Sequence, residues 1–95
     1  MMTLDPGNIL LKPSHRRQIT TWLRTALHLG QRLKQFALNI AMFRRGRLYE
    51  VRATVHTSGG DVVFRSRRHD WQTAARDLAR TVAIHLRDQR RSLAI

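Results

Sequence analysis

The middle of the chain alternates apolar and polar residues with a period of two, which predicts three β-strands. The positions on one side of this alternation are Phe36, Leu38, Ile40 and Met42, then Tyr49, Val51, Ala53 and Val55, then Val62, Phe64 and Ser66. Glycine-containing links at 44–47 and 58–61 join the strands. Links this short allow only antiparallel pairing, so we expect a meander.

Two further stretches have the 3.6-residue period of helices that bury one side. Ser14 is the expected N-cap of the first helix, and Asp70 is the expected N-cap of the second. The apolar stripes are Ile19, Trp22, Leu23, Ala26, Gly30 and Leu33 in the first helix, and Trp71, Ala75, Leu78, Val82 and Leu86 in the second. A glycine inside a helix is destabilising, so we expect a strand to pack closely against Gly30, where a larger side chain would not fit.

The order of elements predicts an α+β fold. The apolar segment 8–12 is the expected first strand, which Pro13 ends, and residues 1–7 are expected to form a flexible lead-in. Residues 8–95 are then a single domain with the order β-α-β-β-β-α. The expected architecture is a two-layer sandwich in which an antiparallel meander carries both helices on one face.

The charge of the chain points to a polyanionic partner. Its 18 Lys and Arg residues against 6 Asp and Glu give a net charge of +12, and 16 of the 18 are arginine. A guanidinium group binds phosphate with two parallel hydrogen bonds, so nucleic acid is the favoured partner. The absence of cysteine excludes disulfides and thiolate metal sites. No apolar run is long enough to span a membrane and no secretion signal is seen, so we expect a soluble, cytoplasmic protein.

Arginines form a stripe along the second predicted helix, opposite its apolar side. Four of them lie within an arc of about 60° on a helical wheel, and a fifth lies beside it. Like charges four residues apart repel each other, which favours an anion bound across the stripe over a solvated helix face. Other arginines project from the first helix. The predicted RNA-binding residues are Arg17, Arg24, Arg32, Arg76, Arg80, Arg87, Arg90 and Arg91.

The sequence offers little for catalysis or for cofactor and metal binding. Its five histidines are scattered without metal-ligand spacing, and His85 is expected at the edge of the last helix, partly buried. The segment 58–60 is too short for a phosphate loop, and the carboxylates are dispersed. Trp22 and Trp71 fall on apolar stripes, so we expect them in the core. We therefore predict no enzyme activity, no small-molecule substrate, no cofactor and no metal.

The segment from Leu48 to Arg91 resembles one known family. A strand reading Tyr49–His56 is followed by the glycine turn 58–60, a third strand, and a helix that opens with the segment 70–77. This pattern resembles the short form of the ribosome hibernation-promoting factor, or ribosome-associated translation inhibitor (sigma-54 modulation protein), family. The order of elements agrees with that family over roughly residues 8 to 91.

The resemblance implies a function. Members of this family bind the small ribosomal subunit in the channel for messenger and transfer RNA, and they silence translation in stationary phase or stress. They contact ribosomal RNA through basic residues of both helices, and the matching positions here are the helical arginines named above. Long members carry a C-terminal domain that pairs ribosomes. This chain stops at Ile95, so pairing is expected to need a separate ribosome-dimerising factor.

Two alternatives remain open from the sequence. A stand-alone double-stranded-RNA-binding-like domain has nearly the same α-β-β-β-α core, and 67–68 before Asp70 weakly resembles its basic cluster. The Gly-x-Gly-x-x-Lys-Lys string of those domains is missing here. A protein-interaction or membrane-surface module is the third reading. Neither predicted helix keeps a large exposed apolar face once its core stripe is buried, so a membrane partner is disfavoured.

Overall fold

A computed structural model describes residues 2–33 and 35–93, of which 90–93 are described by backbone alone. The helices and strands follow one another in the predicted order, β-α-β-β-β-α. They are β1 (Met2–Asp5), α1 (Pro13–Gly30), β2 (Ala37–Arg45), β3 (Leu48–Thr57), β4 (Gly60–Arg68) and α2 (Trp71–Leu93). The predicted α+β class is confirmed.

The four strands form one sheet in the order β1-β2-β3-β4. β2 pairs with β3, and β3 with β4, in antiparallel fashion, so the predicted meander is confirmed. β1 pairs with β2 in parallel, with Met2 opposite Leu38 and Asp5 opposite Ala41. A parallel neighbour needs a long crossover, which α1 supplies. The sheet is therefore mixed.

The first strand lies earlier than the sequence indicated. The prediction for 8–12 is wrong, because the strand is Met2–Asp5, inside the segment expected to be a loose lead-in. Four residues are too few for their alternation to stand out from chance. Gly7 then turns the chain with a φ of +57°, and a side chain there would overlap the Met42 carbonyl oxygen. The Asp5 carboxylate accepts the Gly7 N–H at 2.9 Å and supports this turn.

The ends of α1 also differ from the prediction. The helix begins at Pro13 rather than after Ser14, and the Lys12 N–H donates to His15 Nδ1 at 3.3 Å. Proline is favoured in the first helical turn because its missing N–H would have no partner there. The helix ends at Gly30, so Leu33 of the predicted stripe lies in the following turn. A side chain at Gly30 would overlap the Phe36 ring, so the expected close approach comes from the residue just before β2.

Both helices cover one face of the sheet, and the core lies between the two layers. From Leu38 to Phe43 in β2 and from Val51 to His56 in β3, buried positions alternate with more exposed ones, as the period of two predicts; Glu50 breaks the alternation in β3. The core side chains are Ile9 of the segment before α1, Leu38, Ile40 and Met42 of β2, Val51, Ala53 and Val55 of β3, Ile19, Leu23, Ala26 and Leu29 of α1, and Trp71, Ala74, Ala75, Leu78, Ala79, Val82 and Leu86 of α2. Since this burial fixes the rotation of each helix, the opposite sides face solvent.

Asp70 caps α2 as predicted. Its two carboxylate oxygens accept the Thr73 N–H at 2.7 Å and the Thr73 hydroxyl at 2.9 Å. These hydrogen bonds favour the ionised form and lower the pKa of the Asp70 carboxyl. The cap sets the start of the helix that carries most of the predicted site.

Candidate nucleic-acid interface

Six of the eight predicted RNA-binding arginines have described side chains, and all six are exposed. They are Arg17, Arg24, Arg32, Arg76, Arg80 and Arg87. The side chains of Arg90 and Arg91 lie outside the described residues. Within the described part of the chain, the ion pairs involve Arg52, Arg67, Arg68 and His56 and none of these six arginines.

The α2 arginine row consists of Arg76, Arg80 and Arg87. These residues lie about 160–200° around the helix from Leu78, which is buried. The row therefore points away from the core, and from its first to its last member it extends about 16 Å along the helix. Because α2 is held against the sheet by a buried face, the row is carried on a rigid element.

The arginines of α1 are less regular than the sequence indicated. Arg17 and Arg24 lie about 140–160° from the buried Ile19, on the solvent side of the helix. Arg32 follows the end of α1 and lies in the turn, so its assignment to a helical row is wrong. The prediction continued the periodicity of α1 beyond Gly30, whereas the chain turns after that residue. Arg32 is exposed, but its position depends on the turn rather than on the helix.

A groove of about 220 Å³ lies between the two helices. Trp22 and Thr25 of α1, and Arg76, Ala79, Arg80 and Ala83 of α2, line it. The Arg76 guanidinium carbon lies 4.9 Å from the centre of the Trp22 ring, a cation–π contact. The two alanines leave this space open, since their side chains end at Cβ.

The two tryptophans have different environments. Trp71 is only 8% exposed and belongs to the core, as expected. Trp22 is half-buried and packs against the core from its edge. The ring centres of the two lie 6.3 Å apart, with a tilt of 46°. The sequence prediction of a core residue therefore describes only part of Trp22. The sequence did hold a sign of this partial exposure, because Trp22 lies about 60° around the helix from Ile19, at the border of the apolar stripe.

The face of the sheet opposite the helices holds arginines that are neutralised. Glu50 lies on this side of β3, yet its side chain is only 2% exposed. Arg67 Nε donates to Glu50 Oε1 at 2.7 Å, and Arg52 Nη2 donates to Oε2 at 3.1 Å. The Arg67 hydrogen bond outweighs the effect of burial and lowers the pKa of the Glu50 carboxyl. Sequence reasoning missed this cluster, because β-strand alternation predicts a solvated glutamate here.

Two other carboxylates bind basic side chains away from the α2 arginine row. Asp77 accepts a hydrogen bond from Arg68 Nε at 3.1 Å, which links the end of β4 to α2. Asp61 lies 2.8 Å from His56 Nδ1 at the β3–β4 hairpin. His85 packs half-buried against Phe64, with ring centres 5.0 Å apart, which confirms its expected position.

No described helix combines the length and apolar character needed to cross a membrane. Among residues 2–33 and 35–93, no three histidine or carboxylate side chains lie close enough together to hold a metal ion. The arginines and the interhelical groove are thus the features that need a functional explanation.

Comparison with known proteins finds similarity in structure. No family model and no curated protein sequence matches the chain. The Thermus thermophilus Protein Y N-terminal domain is similar over 90% of this chain and 91% of its own, with a TM-score of 0.72 and 13% identity. The chain has the Protein Y fold. A ribosomal subunit interface protein from Coxiella burnetii is similar over 94% of this chain and 93% of its own, with a TM-score of 0.69 and 15% identity.

The Protein Y fold agrees with the family resemblance carried by the strand, glycine turn and capped helix of the sequence. At 13% and 15% identity the similarity lies in the fold rather than in individual residues. The arginines must therefore be interpreted from their own geometry in this chain.

Proposed function

We propose that this chain is a non-enzymatic ribosome-associated factor. It binds ribosomal RNA of the small subunit through the arginines of its helical side, and it inhibits translation or promotes ribosome hibernation. The observation that carries the proposal is the set of six exposed arginines outside every described ion pair, five on the helices of a Protein Y fold and Arg32 in the turn that follows α1. One solved protein of this fold is described as a ribosomal subunit interface protein.

Electrostatics supports RNA over other partners. Glu50 and Asp77 neutralise Arg52, Arg67 and Arg68, whereas the α2 arginine row keeps its charge and holds it on one rigid helix. Arg45, Arg47 and Arg65 are also exposed and outside these ion pairs, but they are divided between two strands and a turn. The members of the α2 arginine row stand four and seven residues apart, so their guanidinium groups repel each other unless an anion lies across them. A phosphate backbone supplies such an anion at regular intervals, and guanidinium groups bind phosphate with matched geometry.

An anionic membrane is a poorer match to this surface. Membrane-surface helices combine basic residues with a broad apolar face that enters the lipid. In the described part of the chain, the exposed large apolar side chains are scattered over several elements. They are Leu10, Leu48, Val63 and Ile84. Only Ile84 lies on α2, and a single apolar residue does not make an inserting face.

Sedimentation with purified small ribosomal subunits tests the proposal. We expect association that weakens steeply with salt, and inhibition of a cell-free translation reaction over the same protein concentrations. A plain RNA duplex is the comparison ligand, and we expect it to bind more weakly than the subunit. Equal affinity for both would instead indicate a double-stranded-RNA-binding-like domain. Association that does not change with salt would refute the arginine–phosphate interface.

A further inference from the structure

We propose that the interhelical groove is a subsite for one unstacked base of a single-stranded RNA segment. In this subsite the base stacks on the pair formed by Trp22 and Arg76, and Arg80 binds the adjoining phosphate. The biological source of the RNA rests on the proposed function. The base subsite itself rests on the geometry of the groove.

The Trp22–Arg76 pair has the form of a stacking platform. Trp22 is held from behind by its contact with buried Trp71, which lies 6.3 Å away between ring centres. The Arg76 guanidinium lies over the Trp22 ring at 4.9 Å, and Arg76 is itself exposed. A guanidinium plane has two faces, so the face away from the indole can stack on a base. Proteins that bind unpaired RNA use both aromatic rings and arginine planes in this way.

The dimensions of the groove favour a single planar ring system. Its volume of about 220 Å³ is smaller than that of sites for drug-sized molecules, which run to about 300–1,000 Å³. Ala79 and Ala83 line one side, and alanine offers an apolar surface without filling the space. The lining is therefore mostly apolar, with two guanidinium groups, which suits a base with its phosphate.

Charge decides between a nucleotide and an apolar peptide segment as the occupant. Both charged residues that line the groove are arginines, and neither makes an ion pair within the described residues. The groove is also continuous with the α2 arginine row, because Arg76 and Arg80 belong to both. A bound RNA backbone that follows the row therefore passes the mouth of the groove. A duplex keeps its bases stacked inside and cannot use the subsite.

An experiment with two probes separates base stacking from charge attraction. The probes are a single-stranded oligoadenylate and an inorganic polyphosphate of equal charge, which has no bases. The chain has two tryptophans, so its indole N–H resonances can be followed individually in the intact protein. We expect oligoadenylate to shift the Trp22 resonance far more than the Trp71 resonance, and polyphosphate, which can reach Trp22 only through Arg76, to shift the Trp22 resonance clearly less than oligoadenylate does.

Substitution of Trp22 supplies the quantitative test. Trp22→Leu keeps an apolar side chain but removes the stacking surface, so we expect oligoadenylate affinity to fall about 5- to 140-fold, as for one stacked base. Polyphosphate affinity should not change. Phe43→Leu is the matched control, because it removes another half-buried ring that carries an arginine (Arg52, at 5.5 Å) but lies outside the groove, and it should retain oligoadenylate binding. An equal loss for both probes in Trp22→Leu, or equal shifts of Trp22 by both probes, would overturn the subsite.

The two proposals can fail separately in these measurements. If small-subunit association depends on the arginines but oligoadenylate leaves Trp22 unperturbed, the base subsite is wrong and the ribosomal function stands. If oligoadenylate stacks at Trp22 but the chain does not sediment with small subunits, the subsite stands and the ribosomal function is wrong.

Discussion

Neutralising the α2 arginine row is the most direct test of the proposed interface. The variant Arg76→Gln/Arg80→Gln/Arg87→Gln removes three charges and lowers the net charge from +12 to +9. All three side chains are exposed and outside the ion pairs of the described fold, and the one described contact that the variant removes is the surface contact of Arg76 with the Trp22 ring, so the variant should still fold. Because Arg76 and Arg80 also line the interhelical groove, the Trp22→Leu variant is needed beside it to separate the base subsite from the row.

The size of the effect follows from the number of phosphate contacts. Each neutralised phosphate contributes about −0.7 to −0.9 to the slope of log affinity against log salt. If the six exposed helical-side arginines each bind one phosphate, the slope for the unmodified chain is about −4 to −5. Removing three contacts should reduce it to about −2 to −3 and weaken binding about 100- to 500-fold at about 0.1 M salt, extrapolated from 1 M.

The assay is sedimentation with small subunits over a series of salt concentrations. A matched control, Arg45→Gln/Arg47→Gln/Arg65→Gln, also gives a net charge of +9 but removes exposed arginines from the strands and their turn. The control should bind almost as the unmodified chain does. If both triple variants lose the same affinity and slope, the interaction reflects overall charge, and the assignment of the interface to the α2 arginine row is wrong.

Three further predictions concern the fold that holds the interface. Glu50→Gln should lower the free energy of unfolding at neutral pH by about 1.5 kcal/mol, as for a hydrogen bond to a charged group. Because the folded-state pKa of Glu50 is lowered, its contribution is present above the unfolded-state pKa of about 4.3 and is lost on acidification, so the free energies of unfolding of the variant and the unmodified chain, measured with urea, should converge at acid pH. Asp70→Ala should lower the thermal midpoint measured by circular dichroism, because the Thr73 N–H loses its acceptor, whereas Asp70→Asn should retain most of the stability. Gly30→Ala should destabilise the chain by about 1–3 kcal/mol through overlap with the Phe36 ring, and Phe36→Leu in the same chain should restore part of that loss; a more stable Gly30→Ala chain would contradict the close approach.

The elements that the sequence predicted well are those with enough residues to display a period. β2, β3 and β4 have nine or ten residues each, so their alternation is unmistakable. β1 has only four residues, and its parallel pairing with β2 depends on a partner distant in sequence. Pro13 is compatible with a strand end and with a first helical turn. Local pattern cannot choose between them, because the choice depends on how the preceding segment packs.

In the candidate site too, some features follow from local sequence pattern and others only from tertiary packing. Exposure of the α2 arginine row follows from helical geometry once its buried face is known, so the sequence predicts it. The Arg76–Trp22 contact joins two helices that are distant in sequence, and only their packing reveals it. Glu50 is similar, since Arg67 on the neighbouring strand encloses a carboxylate that alternation assigns to solvent. Local periodicity determines which side a residue faces, and tertiary packing determines what it meets there.

Three carboxylates with described partners serve the sheet, its end and a helix cap rather than the α2 arginine row. Glu50 binds two arginines of the sheet, Asp77 binds Arg68 at the end of β4, and Asp70 serves as a helix cap. These contacts stabilise the fold, whereas the spacing of the α2 arginine row opposes it through repulsion between Arg76 and Arg80. Folding accounts for Arg76 through its contact with the Trp22 ring but gives no reason for Arg80 and Arg87, because a glutamate four residues from an arginine would serve a helix better. A polyanion that lies across the helices supplies that reason, and it ties the charge of the row to binding rather than to stability.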